Sequence, residues 1–445
     1  MIVRTPSIAV TSLFCVVVSA FGQQQQPPGA APASIGVFGG TQSNQDAKEQ
    51  LNVTVSVVEG YDQDVPTAVL GSIDAFSPQS GGFTTMLSAT SGFSHRTPHS
   101  EFAVNAASNL RHYAELGVTH SVGHSVGAGF SRAFTARDSM YVNQSAAYTP
   151  NSWSGLFPTG VDAQVGDHGG RPADYTVNGL ESYVYTSDVA YTHTLNRRTS
   201  LSGSGEFQYT DRRKESDLWR DVNSRNLQFQ LSRGVSRSMS LSVGSSYREG
   251  AIGYVDTDQT KELALNIGLE YRRRMSATRE ARYIVRLGPA AADVPHTSEG
   301  PATIRRRYHL DNELGVSYPL SRTWQVQGNY RRRVEYEADL PEPVLANSGS
   351  VSATGFLNRR LDVSASAAYS SGQSLENQST LQFDTYAADM RLRYAIRRTL
   401  ATYVEYLYYF YDFRGTNRLV PTVPPQLERN GIRVGLTMWV PMLQR

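Results

Sequence analysis

From Leu51 onward, apolar and polar residues alternate along the chain with a period of two. In 303–320, "TIRRRYHLDNELGVSYPL", the even positions are Ile304, Arg306, Tyr308, Leu310, Asn312, Leu314, Val316, Tyr318 and Leu320. The odd positions include Arg305, Arg307, His309, Asp311, Glu313 and Ser317. Successive side chains of a strand point to opposite faces, so the spacing predicts a strand with one apolar and one charged face. The split recurs in 261–274, where Leu263, Leu265, Ile267, Leu269 and Tyr271 oppose Glu262, Asn266, Glu270, Arg272 and Arg274. It recurs in 323–337, where Trp324, Val326, Tyr330, Val334 and Tyr336 oppose Gln325, Gln327, Asn329, Arg331, Arg333, Glu335 and Glu337. Near the end, Ile432, Val434, Leu436, Met438 and Val440 share one face.

Alternation alone fits a soluble sandwich as well as a barrel. Segment length separates the two: about 12 to 16 residues exceeds the usual soluble strand and suits a tilted membrane strand. The connections also alternate. Short ones occur at 95–100, 135–139, 195–200, 235–240, 275–280, 319–324, 357–361 and 395–400, whereas 149–180, 211–223, 289–302 and 414–427 are long and irregular. Eight short turns join sixteen strands, and a first strand at 51–63 with a last at 428–440 makes about eighteen. The expected fold is therefore all-β: a transmembrane antiparallel β-barrel with both ends on the periplasmic side. The recurring "TLNRRTS" (194–200), "FLNRRLD" (356–362) and "AIRRTL" (395–400) then read as periplasmic hairpins, with an apolar residue last at the lipid and Asn or Arg turning the chain.

The start of the chain is different. Arg4, the apolar run "SIAVTSLFCVVVSAF" and the small residues Ala20 and Gly22 fit a signal peptide over 1–22. Residues 23–50, rich in Gln, Pro, Gly and Ala, read as a disordered periplasmic tether, leaving 51–445 for the barrel. The single cysteine, Cys15, lies in the leader, which removes disulfides and thiolate chemistry from the mature chain. After the leader, no stretch reaches the roughly 18 apolar residues of a spanning helix, which excludes a helical membrane protein and leaves a barrel.

Composition adds three points. Lys and Arg total 42 against 40 Asp and Glu, so no nucleic-acid partner is indicated. Only three of the basic residues are lysine (Lys48, Lys214, Lys261). Arginine suits bidentate contact with phosphate and carboxylate, although a codon preference accounts for the bias equally well. The 25 tyrosines fit the two interfacial girdles of a barrel.

Candidate chemistry is sparse. "GHSVG" (123–127) matches the G-x-S-x-G pattern, but Ser125 is followed by strand, turn and strand rather than by the helix that a nucleophile elbow needs. His124 and Ser125 fall on opposite faces, so they cannot act together, and no enzyme is expected. The nine histidines show no zinc spacing, and the loop 160–170 with Asp162, Asp167 and His168 lacks the calcium-loop pattern, so neither metal nor cofactor is implied. The inner wall is the stronger constellation. Arg272, Arg274, Arg282, Arg286, Arg305, Arg307, Arg331 and Arg333, interspersed with Glu262, Glu270, Asp311, Glu313, Glu335 and Glu337, come from four consecutive strands and would line a pore. Farther round, Arg391 and Arg393 are placed near Asp384 or Asp389, and Tyr403, Tyr409 and Tyr411 face inward if Glu405 does. These charges either select solutes or simply solvate and brace the lumen.

With the tether, "YDQDV" (61–65), the repeated "NRR" turns and the closing "GIRVGLTMWVP", residues 51–445 resemble the bacterial outer-membrane β-barrel porin family and are similar to barrels associated with exopolysaccharide export. The final "PMLQR" departs from the terminal Phe of many such barrels. The resemblance implies an outer-membrane channel for hydrophilic or anionic solutes. Its alternatives are an export barrel served by a periplasmic partner, or a structural or adhesive barrel. The expected surroundings are outer-membrane lipid and lipopolysaccharide, with the barrel assembly machinery inserting the chain. The longest loop, 149–180, is the expected constriction.

Overall fold

The computed structural model describes residues 48–65, 80–114, 120–149, 182–212, 221–252, 259–276, 279–296, 303–336, 340, 342–375, 381–414 and 426–445. They form eighteen strands: β1 (Glu49–Val65), β2 (Ser80–Arg96), β3 (Ser100–Tyr113), β4 (His120–Ala133), β5 (Asp138–Thr149), β6 (Ser182–Asn196), β7 (Thr199–Arg212), β8 (Val222–Gly234) and β9 (Met239–Ile252), followed by β10 (Gln259–Arg274), β11 (Glu280–His296), β12 (Thr303–Tyr318), β13 (Trp324–Glu335), β14 (Val344–Asn358), β15 (Leu361–Ser374), β16 (Gln382–Arg397), β17 (Leu400–Arg414) and β18 (Gln426–Gln444). Each strand pairs antiparallel with its neighbours in sequence, and β1 pairs with β18, from Gln50 opposite Gln444 to Asp62 opposite Gly431. The sheet closes on itself, so it has no free lateral edge at the seam.

Period two decides the two faces. Leu263, Leu265, Ile267, Leu269 and Tyr271 of β10 are exposed on the outside, as are Ile432, Val434, Leu436 and Met438 of β18. Their sequence neighbours Glu262, Arg429, Arg433 and Thr437 are buried inside. Aromatic residues mark two outer rows. Toward the long connections, Tyr61 meets Phe83, Tyr148 meets Tyr183, Tyr185 meets Tyr209, and Tyr386 sits between Tyr369 and Phe410. Toward the short turns, Tyr271 meets Tyr283 with ring centroids 6.1 Å apart. On β12 the two rows are Tyr308 and Tyr318, ten residues apart, or roughly 25 Å along the axis of a tilted strand, the height of a barrel's apolar band. A closed barrel with this band outside and charge inside satisfies its backbone in lipid, and the protein is an outer-membrane β-barrel. Replacing Ile267, 67% exposed in the middle of the band, by Arg is expected to cost about 2–4 kcal/mol of folding stability, checked by urea titration in lipid vesicles.

Six of the eight short turns are held alike. Backbone N–H groups of the turn donate to the side-chain oxygen of Thr97, Thr135, Asn196, Ser236, Ser321 and Asn358, for example Arg198 to Asn196 at 2.9 Å and Arg360 to Asn358 at 2.8 Å. Such capping by Asn, Ser or Thr fixes a tight reversal. Arg137, Arg237 and Arg279 sit on three of these turns, beside the Arg pairs noted in the sequence.

Three boundaries differ from expectation. β1 begins at Glu49, two residues into the segment read as tether, and β18 runs on to Gln444. β11 continues through "GPAAADVPH" to His296, seven residues past the expected start of the 289–302 connection. The β10–β11 ladder passes from Ala264–Ala290 to Ile267–Leu287, so the donor that Pro289 lacks is not called upon there. Gly288 lets the Leu265 carbonyl approach where a β-carbon would collide. The leader and residues 23–47 lie outside the described residues, as do the loops 150–181 and 415–425.

Candidate pore and its constriction

The wall is continuous except at one place. β12 pairs with β11 along its whole length, up to Thr303 opposite His296, yet pairs with β13 only from Asn312–Arg332 to Tyr318–Val326. Above that point β13 leaves β12, while the β13–β14 and β14–β15 ladders continue to Glu335–Val344 and Val344–Ser374, so the upper ends of these strands turn into the barrel together. Val334 and Leu345 would face lipid by strand parity, but they are buried against Ala292 and Val294 of the β11 inner face and against Leu375. On the hairpin's other side Leu340, Val344 and Ala346 pack against Leu381, Phe383 of β16, Tyr411 and Phe413 of β17 and Leu427 of β18. The Tyr336 hydroxyl donates to the Thr260 carbonyl of β10 at 3.2 Å, and its ring occupies space that a β-carbon at Gly250 of β9 would fill. β10 and β17 stand seven strands apart on a ring of eighteen, so the hairpin crosses the lumen on a chord close to its diameter. It does so at the end of the long connections, with apolar contacts on both sides.

Below the hairpin the inner wall is charged and cross-braced. Arg248 of β9 reaches Glu262 at 3.2 Å and Asp311 at 2.9 Å, and His309 Nε2 lies 3.1 Å from the same Glu262. Glu270 takes Arg272 at 2.5 Å and Arg282 at 2.7 Å, Arg286 takes Glu313 at 2.5 Å, and Glu335 takes Arg331 and Arg333 at 3.4 and 2.8 Å. Arg274 is 3.8 Å from Glu280 and largely exposed. Arg305 and Arg307 lie on the upper half of β12, which pairs with β11 but not with β13, on the face shared with Asp311 and Glu313, and are exposed. Apart from Glu337, which lies outside the described residues, the wall residues read from the alternation thus lie together on β10 to β13, mostly as carboxylate–guanidinium pairs rather than isolated charges.

Farther round, the pairing differs from expectation. Arg391 bonds Glu405 at 2.7 Å and lies over the Tyr403 ring at 4.9 Å, while Arg393 pairs with Asp362. These acids sit directly across the ladder from each arginine. Asp389 instead accepts from Ser366, and Asp384 lies on the outer face with Tyr369 and Arg414. Tyr403 and Tyr411 face inward with Glu405.

The alternation also contained residues that the sequence reading passed over. Asp62 of β1 is 2.8 Å from Arg429 and 3.6 Å from Arg433 of β18, and Arg111 of β3 donates to Tyr113 at 3.1 Å beside them. Arg429, Gly431 and Arg433 occupy the alternate face to Ile432 and Val434, a signal present in the sequence. No local signal marks Tyr336 and Leu340, whose seats come from strands far along the chain.

Ser125 sits within β4, and His124, on the opposite face, bonds Ser108 at 3.0 Å. The loop 160–170 and the expected constriction at 149–180 lie outside the described residues, apart from the end of β5.

No protein-family model matches the chain, and no curated protein sequence matches it. Among solved structures it is similar to Pseudomonas aeruginosa OpdQ, at 9% identity and a TM-score of 0.41 over 89% of this chain and 98% of that one. It is similar to Acinetobacter baumannii OccAB4 at 9% identity and a TM-score of 0.40, covering 88% and 98%. The open form of the ferric-catecholate import receptor Fiu from E. coli K12 gives 9% identity and a TM-score of 0.41, covering 88% and 81%.

Proposed function

We propose that this porin-like barrel is a channel for hydrophilic solutes and favours anionic ones. The observation that carries the reading is the inner wall. Four consecutive strands, β10 to β13, present guanidinium groups to a lumen enclosed by a complete ring of strands. An eighteen-strand ring is wide enough to hold water, and charge lining a wet passage biases which solutes enter. Carboxylates pair with most of these arginines, which keeps the wall rigid and tempers the bias. Arg305 and Arg307, exposed near the mouth, would be the first cations an entering solute meets.

Solute entry into proteoliposomes tests this. Swelling is expected with small sugars and faster with sugar acids of the same size. Replacing Arg305 and Arg307 by Glu should remove that difference, lowering the acid-to-sugar rate ratio by about threefold, with neutral sugar entry unchanged. Equal rates for acid and neutral sugar in the parent barrel would overturn the anionic preference. No swelling with any solute would favour the export or adhesive alternatives.

A further inference from the structure

The arginines fall into two populations. Those on the inner wall of β10 to β13 and of β16 mostly have carboxylate partners, and Arg306 and Arg414 outside the wall pair with Asp293 and with Asp384 and Asp412. The arginines on the short turns do not. Between the strands, seven of the eight short turns carry one, and none of these forms an ion pair with any described residue, whereas Arg96 at the end of β2 pairs with Glu101 at 3.0 Å. Arg197 and Arg198, Arg359 and Arg360, Arg322 and Arg398 are all exposed. Side-chain capping by Asn196, Asn358 and Ser321 presents three of the turns in one rigid form.

Their height says what they meet. Tyr271, Tyr283 and Tyr394, on the outer face, lie three residues from the ends of their strands. Three residues of a tilted strand rise roughly 8 Å, so the turns stand just past the aromatic row. A headgroup layer adds about 5–8 Å on each side of the hydrocarbon, which puts the guanidinium groups among the headgroup phosphates. Planar guanidinium binds phosphate oxygens in pairs, and a basic residue at a membrane surface favours anionic lipid.

We infer that the short-turn rim is a ring of phosphate-binding sites that holds anionic phospholipid of the periplasmic leaflet around the barrel. The ring accounts for the repeated arginine turns without assigning them to the pore, and it does not depend on what the channel carries. Binding is electrostatic at an exposed surface, so salt weakens it.

The test uses the full chain refolded into mixed vesicles of phosphatidylcholine and phosphatidylglycerol, with lipid retained through detergent extraction read by mass spectrometry. The parent barrel is expected to enrich phosphatidylglycerol about tenfold over the bulk mixture at low salt. A variant with Arg197, Arg198, Arg359, Arg360 and Arg398 replaced by Gln should lose most of that enrichment. The same five positions as Lys should keep part of it, since point charge remains without the planar fork. Heat-modifiable gel mobility confirms that each variant is folded, and if the five-site variant fails to fold, the pair at 197 and 198 alone carries the comparison. Equal enrichment in the parent and folded Gln variants would overturn the proposal. So would loss of binding to soluble polyglutamate in the Gln variant with lipid enrichment intact, which would make the rim a dock for an acidic protein.

Discussion

Replacing residues 337–342 by a short Gly-Ser linker is expected to raise single-channel conductance by about threefold or more, because an eighteen-strand lumen without an obstruction is a wide aqueous passage. Leu340, 2% exposed, sits among aromatic and leucine side chains of β16 to β18, and the Tyr336 hydroxyl fixes the other end of the chord to β10. The linker removes the Leu340 anchor and leaves Tyr336 as the tie to β10, so the tip is released from β16 to β18 and no longer closes the lumen on that side. A milder variant, Leu340→Ala, removes buried side-chain volume worth about 2–5 kcal/mol at a well-packed site and should make the closed hairpin noisy rather than absent. Flickering between two conductance levels would show this. Unchanged conductance in the linker variant, with the barrel folded, would mean that the hairpin does not limit flow.

Arg248→Ala should strongly destabilise the barrel. Arg248 stands between Glu262 and Asp311, and Glu262 is 1% exposed. Truncating the arginine leaves two carboxylates facing each other beside His309 with no guanidinium between them. Breaking a buried pair by removing one partner costs about 3–5 kcal/mol. The triple variant Arg248→Met, Glu262→Gln, Asp311→Asn removes all three charges together and should recover most of the loss, because no carboxylate is then left uncompensated. Urea unfolding in vesicles, followed by tryptophan fluorescence, measures both. A single variant as stable as the parent would show that water, not Arg248, compensates these carboxylates.

Much of this architecture was legible in the sequence because a membrane strand states its orientation residue by residue. Ile267 against Asn266, or Ile432 against Arg433, fixes lipid side and lumen side without tertiary information. The short turns were legible because the alternation breaks there over a few polar residues, most of them including an Asn, Ser or Thr that caps the reversal. The connection expected at 289–302 begins only after His296, because the donor that Pro289 lacks falls where the β10 ladder has no rung. Ion pairs were half legible. Arg391 and Arg393 were placed inside correctly, but their partners Glu405 and Asp362 follow from register, which alternation leaves open. The hairpin was not legible at all. Tyr336 reads as one more residue on the lipid face of the 323–337 strand, and the burial of Leu340 and Val344 depends on Phe383, Tyr411, Phe413 and Leu427, contributed by three later strands. The repeated arginines were visible from the start, yet only the geometry separated the paired wall arginines from the unpaired rim.

The central claim is that this barrel encloses a passage, and recording the refolded parent protein in a planar bilayer under a salt gradient tests it most directly. Discrete, steady current steps of small amplitude are expected, with a reversal potential on the anion-selective side. A barrel that shows its folded mobility, inserts, and yet passes no current both with and without residues 337–342 would contradict it.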